Sequence, residues 1–427
     1  MIIRTLYTKW FSASLLFIIS ISVHAQDLKK EFPQSTKLKI SNPLKSVREN
    51  VLVIISPDQL KKEVKGFNEK AFVVLDGAKE ISSQYNTKDK AEPGIVFVLD
   101  KLNASESRVV EIRFHPTASI QRKYAKKTQA ELSHKTGGEW KGREYIGGEF
   151  KNVDYLRVPP EHKDHSWFIR YEGPGWESDK VGYRFYLDQR NATDVYGKLT
   201  TDMVLQQVGL DGFDSYHKLQ PWGMDVMKTG KSLGIGAIGA MSNGVITRVE
   251  KTDSINSRIT ENGDVFSSLL TNYYGWKIGE KKHDLQSRLT IHAGTRLTHE
   301  SISISNNPDN ISTGIVKDKT APLLKSKGDA THFGYIATYG KQSLNEGDEL
   351  GLAVLFRSQD LIDFAEDEYS HIIKLKPAQD KLDYYFLGAW VKEPNGIKDQ
   401  AQFEAYLRTV AAELATPVKV DFIKSKK

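Results

Sequence analysis

Apolar residues in this chain fall into short runs bounded by Gly, Asn or Asp, and seldom into the three-to-four spacing of a long helix. Residues 51–55, 71–75 and 95–99 are almost continuously apolar, and residues 109–114 tend to alternate apolar and polar positions. That pattern predicts strands joined by turns. Their spacing predicts an antiparallel sandwich over about residues 35–120, within an N-terminal domain of residues 26–120. Residues 121–150, crowded with Lys, Gln, Glu and Gly, read as a linker or exposed excursion. Beyond it the β pattern resumes at 181–187, 245–249, 285–293, 333–338, 350–356 and 384–390, predicting a larger sandwich over residues 151–427. One helix stands out, capped by Asp399, with Phe403, Leu407, Val410 and Leu414 at helical spacing. The fold class is therefore mainly β, because strands and helices do not alternate between Val51 and Trp390 as a parallel sheet requires.

The N-terminus changes the picture of where the chain works. Arg4 and Lys9 precede an apolar stretch over residues 11–23, and Val23 and Ala25 occupy the small-residue positions of a cleavage site. This reads as a secretory signal over residues 1–25, cleaved after Ala25 to leave Gln26 first. The apolar run is shorter than the roughly 20 residues that span a bilayer, so no membrane anchor is expected after cleavage. The expected location is the periplasm, with secretion beyond it as the alternative. The chain has no cysteine, which excludes disulfides, thiolate zinc sites, a lipidated cysteine and a cysteine nucleophile. The formal charge of +6 falls to +4 without Arg4 and Lys9, and the remaining charges are scattered, so nucleic acid is not an expected partner.

Two segments concentrate chemistry. In residues 172–198 a Gly-Pro-Gly turn presents Trp176 and Glu177, and a strand follows whose alternation puts Arg184 and Tyr186 on one face. Aromatic rings that stack on sugars, with a cation for a carboxylate or sulfate, suit acidic carbohydrate; a sandwich edge with ordinary salt bridges is the bland reading. In residues 211–236, Tyr216 and His217 lie near a Pro221-Trp222-Gly223 turn, with Asp225 and Lys228 following, a plausible acid/base set. Upstream, His162 and His165 stand three apart beside Glu161 and Asp164, but without the helix and base of a His-Glu-x-x-His site, so no metal is assigned. The glycines of residues 232–244 point to close backbone approach; no Gly-Lys-Ser/Thr follows them, so a phosphate loop and a nucleotide cofactor are not expected. No cofactor of any kind is assigned.

The strings at residues 81–85, 94–114, 171–198, 216–237 and 338–344 resemble the bacterial family called domain of unknown function 4861, over essentially the whole mature chain. The resemblance implies an exported protein of a Bacteroidota polysaccharide-utilisation locus. It further implies a dehydratase that removes water from the non-reducing-end uronic acid of ulvan-like oligosaccharides, leaving a 4,5-unsaturated uronate. The fold expected with it is an N-terminal β-sandwich plus a larger, galactose-mutarotase-like sandwich and a C-terminal helix. Elimination needs a base for the proton beside the carboxylate, an acid for the departing hydroxyl and a cation to offset charge. By chemistry, His217 or His165 suits the base, Tyr186 or Tyr216 the acid, and Arg184 or Lys228 the carboxylate, with Trp222, Trp176 and Glu177 binding the sugar. A polysaccharide lyase, a glycoside hydrolase and a non-catalytic carbohydrate-binding protein remain the alternatives.

Overall fold

The computed structural model describes residues 27–424, and the expected signal segment and its cleavage point lie outside the described residues. The chain forms two compact units, one built from residues up to Ala125 together with those from Val418 onward, the other from Lys126–Pro417.

In the first unit a five-stranded antiparallel sheet runs in the order Lys419–Ile423, Gln34–Ser41, Ser107–Phe114, Phe72–Asp76, Lys79–Ile81. A three-stranded sheet of Arg48–Ile55, Gly94–Leu102 and Ser83–Asn86 supplies the second layer. Alternation decides the core. Leu38, Ile40, Val110 and Ile112 of one sheet share a buried cluster with Val53, Ile55, Ile95 and Phe97 of the other. The edge strand from the C-terminus pairs Ile40 with Val420 and Leu38 with Phe422. That closure puts the strand Lys419–Ile423 with the first unit and not, as expected, within the domain of residues 151–427, because no local pattern marks which edge a distant strand will join. Ser56 caps a short helix, Pro57–Glu63, by a reciprocal bond with Gln59 that the strand pattern concealed.

The second unit is built on a nine-stranded sheet that starts at Tyr155–Arg157 and ends at Leu323–Ser326, with Phe266–Ile278 and Lys281–His292 among its long central strands. Two five-stranded sheets complete it. The first runs Gly223–Asp225, Thr193–Lys198, Val181–Phe185, Gly175–Ser178, Thr128–Glu131; the second contains Ile311–Val316 and Ser370–Leu375. Trp176, Tyr183, Phe185 and Val195 of the first join Leu269, Leu285, Leu352 and Phe386 of the nine-stranded sheet and Ile311 and Ile373 of the second in one apolar cluster. The protein is thus mostly β, with several sheets and a C-terminal helix.

That helix, Gln400–Ala415, begins where Asp399 accepts from the Gln402 N–H. Phe403, Leu407 and Val410 pack on Ala337, Ala353, Leu387 and Ala389 of the nine-stranded sheet. In the stretch read as a linker, the strand Thr128–Glu131 enters the five-stranded sheet, and Ser133–Lys141 and Glu144–Asn152 form a hairpin. Its residues are polar because much of it faces solvent, with Trp140 and Tyr145 packed on Phe168. In the glycine-rich stretch, Gly234 has no room for a side chain: a Cβ would stand 1.9 Å from the Thr193 carbonyl oxygen. Among the described residues no helix is long and apolar enough to cross a membrane.

Candidate active site

The strand Val181–Phe185 sends Tyr183 and Phe185 into the apolar cluster and Arg184, with Tyr186 just beyond, to the other face. Loops carrying Tyr171, Leu205, Phe213 and Tyr216 cover that face, so it is buried although polar. Arg184 is 2% exposed. Its guanidinium donates to Asp194 Oδ2 and Asp225 Oδ2, both at 2.9 Å, to the Tyr216 hydroxyl at 2.9 Å and to the Tyr186 hydroxyl at 3.1 Å. Tyr186 in turn donates to Asp194 at 2.8 Å. The register explains the first pair, since Arg184 lies directly opposite Asp194. Burial, followed by the neighbouring Asp225 carboxylate, pushes the Asp194 carboxyl up to about 6. Burial likewise raises the Tyr186 and Tyr216 phenols, so both stay protonated at neutral pH.

The partly exposed groups lie at the margins of this hub. His217 has a side chain 40% exposed, its Nε2 stands 3.4 Å from Asp225 Oδ2, and its ring lies 4.6 Å from that of Tyr216. Trp222, half-buried, packs edge-on to Tyr196 at 5.9 Å. Toward the other margin His165, 56% exposed, places Nδ1 2.5 Å from Asp164 Oδ1, and its backbone N–H donates to Glu172. Glu172 links the two sides, with Arg184 at 3.9 Å and Arg190 at 2.8 Å. Asp164, His165 and Glu172 bring ligand atoms within 4.8 Å of one another, a donor set that suits a divalent cation. Arg190 already supplies positive charge there, 2.8 Å from both Asp164 and Glu172.

The family model for the domain of unknown function 4861 matches residues 40–420. The chain belongs to this family. No curated protein matches the chain. Among solved structures, a glycosyl hydrolase family 38 protein from Enterococcus faecalis is 9% identical with a TM-score of 0.43, covering 91% of this chain and 47% of its own. An α-mannosidase from Enterococcus faecalis V583 is 8% identical with a TM-score of 0.46, covering 91% of this chain and 46% of its own. The chain therefore spans less than half the length of either.

In this family 4861 member several residues read as substrate contacts have other places. Trp176 is 1% exposed in the core, its indole N–H donating to Thr298 Oγ1 at 2.8 Å, because strand parity turns it inward. Glu177 is fully buried; it pairs with Lys198 at 2.6 Å and accepts from the N–H groups of Val204 and Leu205. Neither can reach a sugar. Arg184 is already neutralised by two carboxylates, so it is a hub and not a free carboxylate clamp. Lys228 is exposed and bonds to none of this cluster. His162 is buried away from any ligand group with His165: its Nδ1 bonds Ser166 Oγ at 2.7 Å, and burial lowers its pKa. Segments 161–190 and 214–231 do meet, through Arg184, but the open cleft nearby is lined differently. It measures about 370 Å³ and is bounded by Arg157, Pro159, His162, Lys163, Asp188 and Asp253. Asp194, Glu172 and Arg190 escaped the sequence reading as site residues. The alternation of Thr193–Lys198, with Thr193, Val195 and Gly197 on one parity and Asp194, Tyr196 and Lys198 on the other, was the available signal for the first.

Proposed function

We propose that this protein is a carbohydrate-active enzyme that eliminates water from the terminal uronic acid of acidic oligosaccharides, with His217 as base. The observation that carries this reading is the His217–Asp225 pair set against Tyr216. A carboxylate facing one imidazole nitrogen fixes the tautomer and orients the ring, leaving the other nitrogen to accept a proton. Tyr216 accepts from Arg184, so its phenolic proton is not spent on that bond, whereas the Tyr186 proton is given to Asp194. Both phenols are buried, Tyr216 at 1% and Tyr186 at 5% exposed, so they support His217 and Arg184 from beneath and do not touch the departing hydroxyl. Arg184 supports the developing negative charge from beneath, through the phenol it bonds.

Membership of family 4861 and the resemblance to its uronate dehydratase type support the substrate class. A hydrolase would need two accessible carboxylates flanking a sugar, and Asp194 and Asp225, with side chains 2% exposed and tied to Arg184, do not offer them. Incubation with uronate-ended ulvan oligosaccharides tests the proposal. Loss of one water with new ultraviolet absorbance is the expected product. Shortened chains with that absorbance indicate a lyase, shortened chains without it a hydrolase, and unchanged ligand that still binds a non-catalytic receptor. The working location we propose is the periplasm, checked by an intact mass beginning at Gln26 in that fraction.

A further inference from the structure

The site has a deficit that points elsewhere in the unit. An acidic sugar needs a cation, yet Arg184 is held by Asp194 and Asp225, Lys198 by Glu177, and Arg190 by Asp164, Asp188 and Glu172. Arg170 is bonded to Glu131. Each of these cations is consumed by carboxylates of the protein itself.

Lys135 is different. It lies on the hairpin strand Ser133–Lys141, directly opposite Phe150. Its ammonium stands 5.4 Å from the Phe150 ring and 5.6 Å from the Trp167 ring. Among the described residues no carboxylate pairs with it, and burial, which lowers its pKa, is not offset by any neighbouring charge. Along the same hairpin face the next inward-outward repeat is Gly137, where a side chain would meet open space, leaving the surface beside the ammonium bare. Trp167 continues the platform toward the site. Its ring centroid is 4.3 Å from Phe213, which is 4.8 Å from His165.

We propose that Lys135, Phe150 and Trp167 form a subsite for an anionic saccharide residue next to the His165 margin of the site. The ring faces stack on sugar C–H groups, and the ammonium, held over them by cation–π attraction, meets a carboxylate or a sulfate ester. This rests on the acidic-carbohydrate reading and deepens it, since it names the group that recognises charge in place of Arg184.

The test is calorimetric titration of the full chain with ulvan oligosaccharides, their desulfated form and their carboxyl-reduced form. Lys135→Met should weaken binding of the native oligosaccharides about tenfold and flatten its salt dependence, and Lys135→Arg should restore most of it. Loss of the Lys135 effect on desulfation identifies sulfate as the partner; loss on carboxyl reduction identifies the carboxylate. Equal affinities of wild type and a folded Lys135→Met for all three ligands overturn the subsite, as does failure of the native oligosaccharides to bind the wild type. Lys135-dependent binding without turnover would keep the subsite while removing the proposed elimination.

Discussion

The two faces of the strand Val181–Phe185 are buried to nearly the same depth and use that burial in opposite ways. On the inner face Tyr183 is 0% exposed among Trp176, Phe185 and Phe386, and its stability comes from apolar area removed from water. On the outer face Arg184, 2% exposed, sits among Asp194, Asp225, Tyr186 and Tyr216, where every polar tip must find a partner or lose its hydration uncompensated. Depth alone does not tell a core from a site. What separates them is that the outer network reaches the surface, at His217 and His165, whereas the inner one does not.

The strongest test of that distinction is Arg184→Ala, expected to destabilise the fold by about 3–5 kcal/mol because it leaves two buried carboxylates without their cation. Trp176→Ala on the inner face should cost a similar amount, about 3–5 kcal/mol, through a cavity. Chemical denaturation measures both. An Arg184→Ala protein as stable as the wild type would show that the outer network is not an electrostatic unit.

Next in size is the effect at the margin. His217→Ala should lower turnover about a hundredfold while leaving the melting temperature close to that of the wild type, since its side chain is 40% exposed. If His165→Ala loses activity and His217→Ala keeps it, the base lies at the other end of the network.

The inner side has a polar member too, and it sharpens the contrast. Glu300 shares its strand parity with Ile302 and Ile304, accepts from Ser287 Oγ at 3.0 Å, and is pushed by burial from 4.5 up to about 8. The folded protein thus keeps a proton that the unfolded chain releases. Stability from this group is intact below about pH 4.5 and falls as pH rises toward 8, by about 1.4 kcal/mol per pH unit. Glu300→Gln should flatten that part of the denaturation profile. An unchanged slope in the variant would show that Glu300 is already ionised in the fold.

The smallest expected effect is at Trp222, half-buried beside Tyr196. Trp222→Ala should weaken oligosaccharide binding by about 0.5–1.5 kcal/mol, the range of an aromatic contact, with turnover at saturation nearly kept. A loss as large as that of His217→Ala would move Trp222 from the platform into the chemistry.

Strand positions were legible because alternation is a local property. The run 109–114 lies within Ser107–Phe114, and residues 350–356 coincide with Leu350–Phe356. The helix was equally legible, since Asp399 and the spacing of Phe403, Leu407 and Val410 carry both its start and its buried face. The same alternation placed Arg184 and Tyr186 together. It did not reveal that Asp194 and Asp225 would close on them, because those partners arrive from separate strands.

By itself, then, the sequence determined the β character, the C-terminal helix, the family and the clustering of titratable and aromatic residues near 162–228. Only the tertiary structure decided which of those residues remain available. Trp176 and Glu177 are neighbours of Arg184 in sequence and look as exposed as His217, yet parity and loop cover bury the first two and leave the histidine at the rim. Likewise, only long-range pairing brought the strand Lys419–Ile423 back to Gln34–Ser41 and laid Trp167 and Phe150 beside Lys135. The physical reason is common to both. A residue's own neighbours along the chain fix its conformation and facing, whereas its solvation and its charge partners are set by elements far away in sequence, and function depends on the latter.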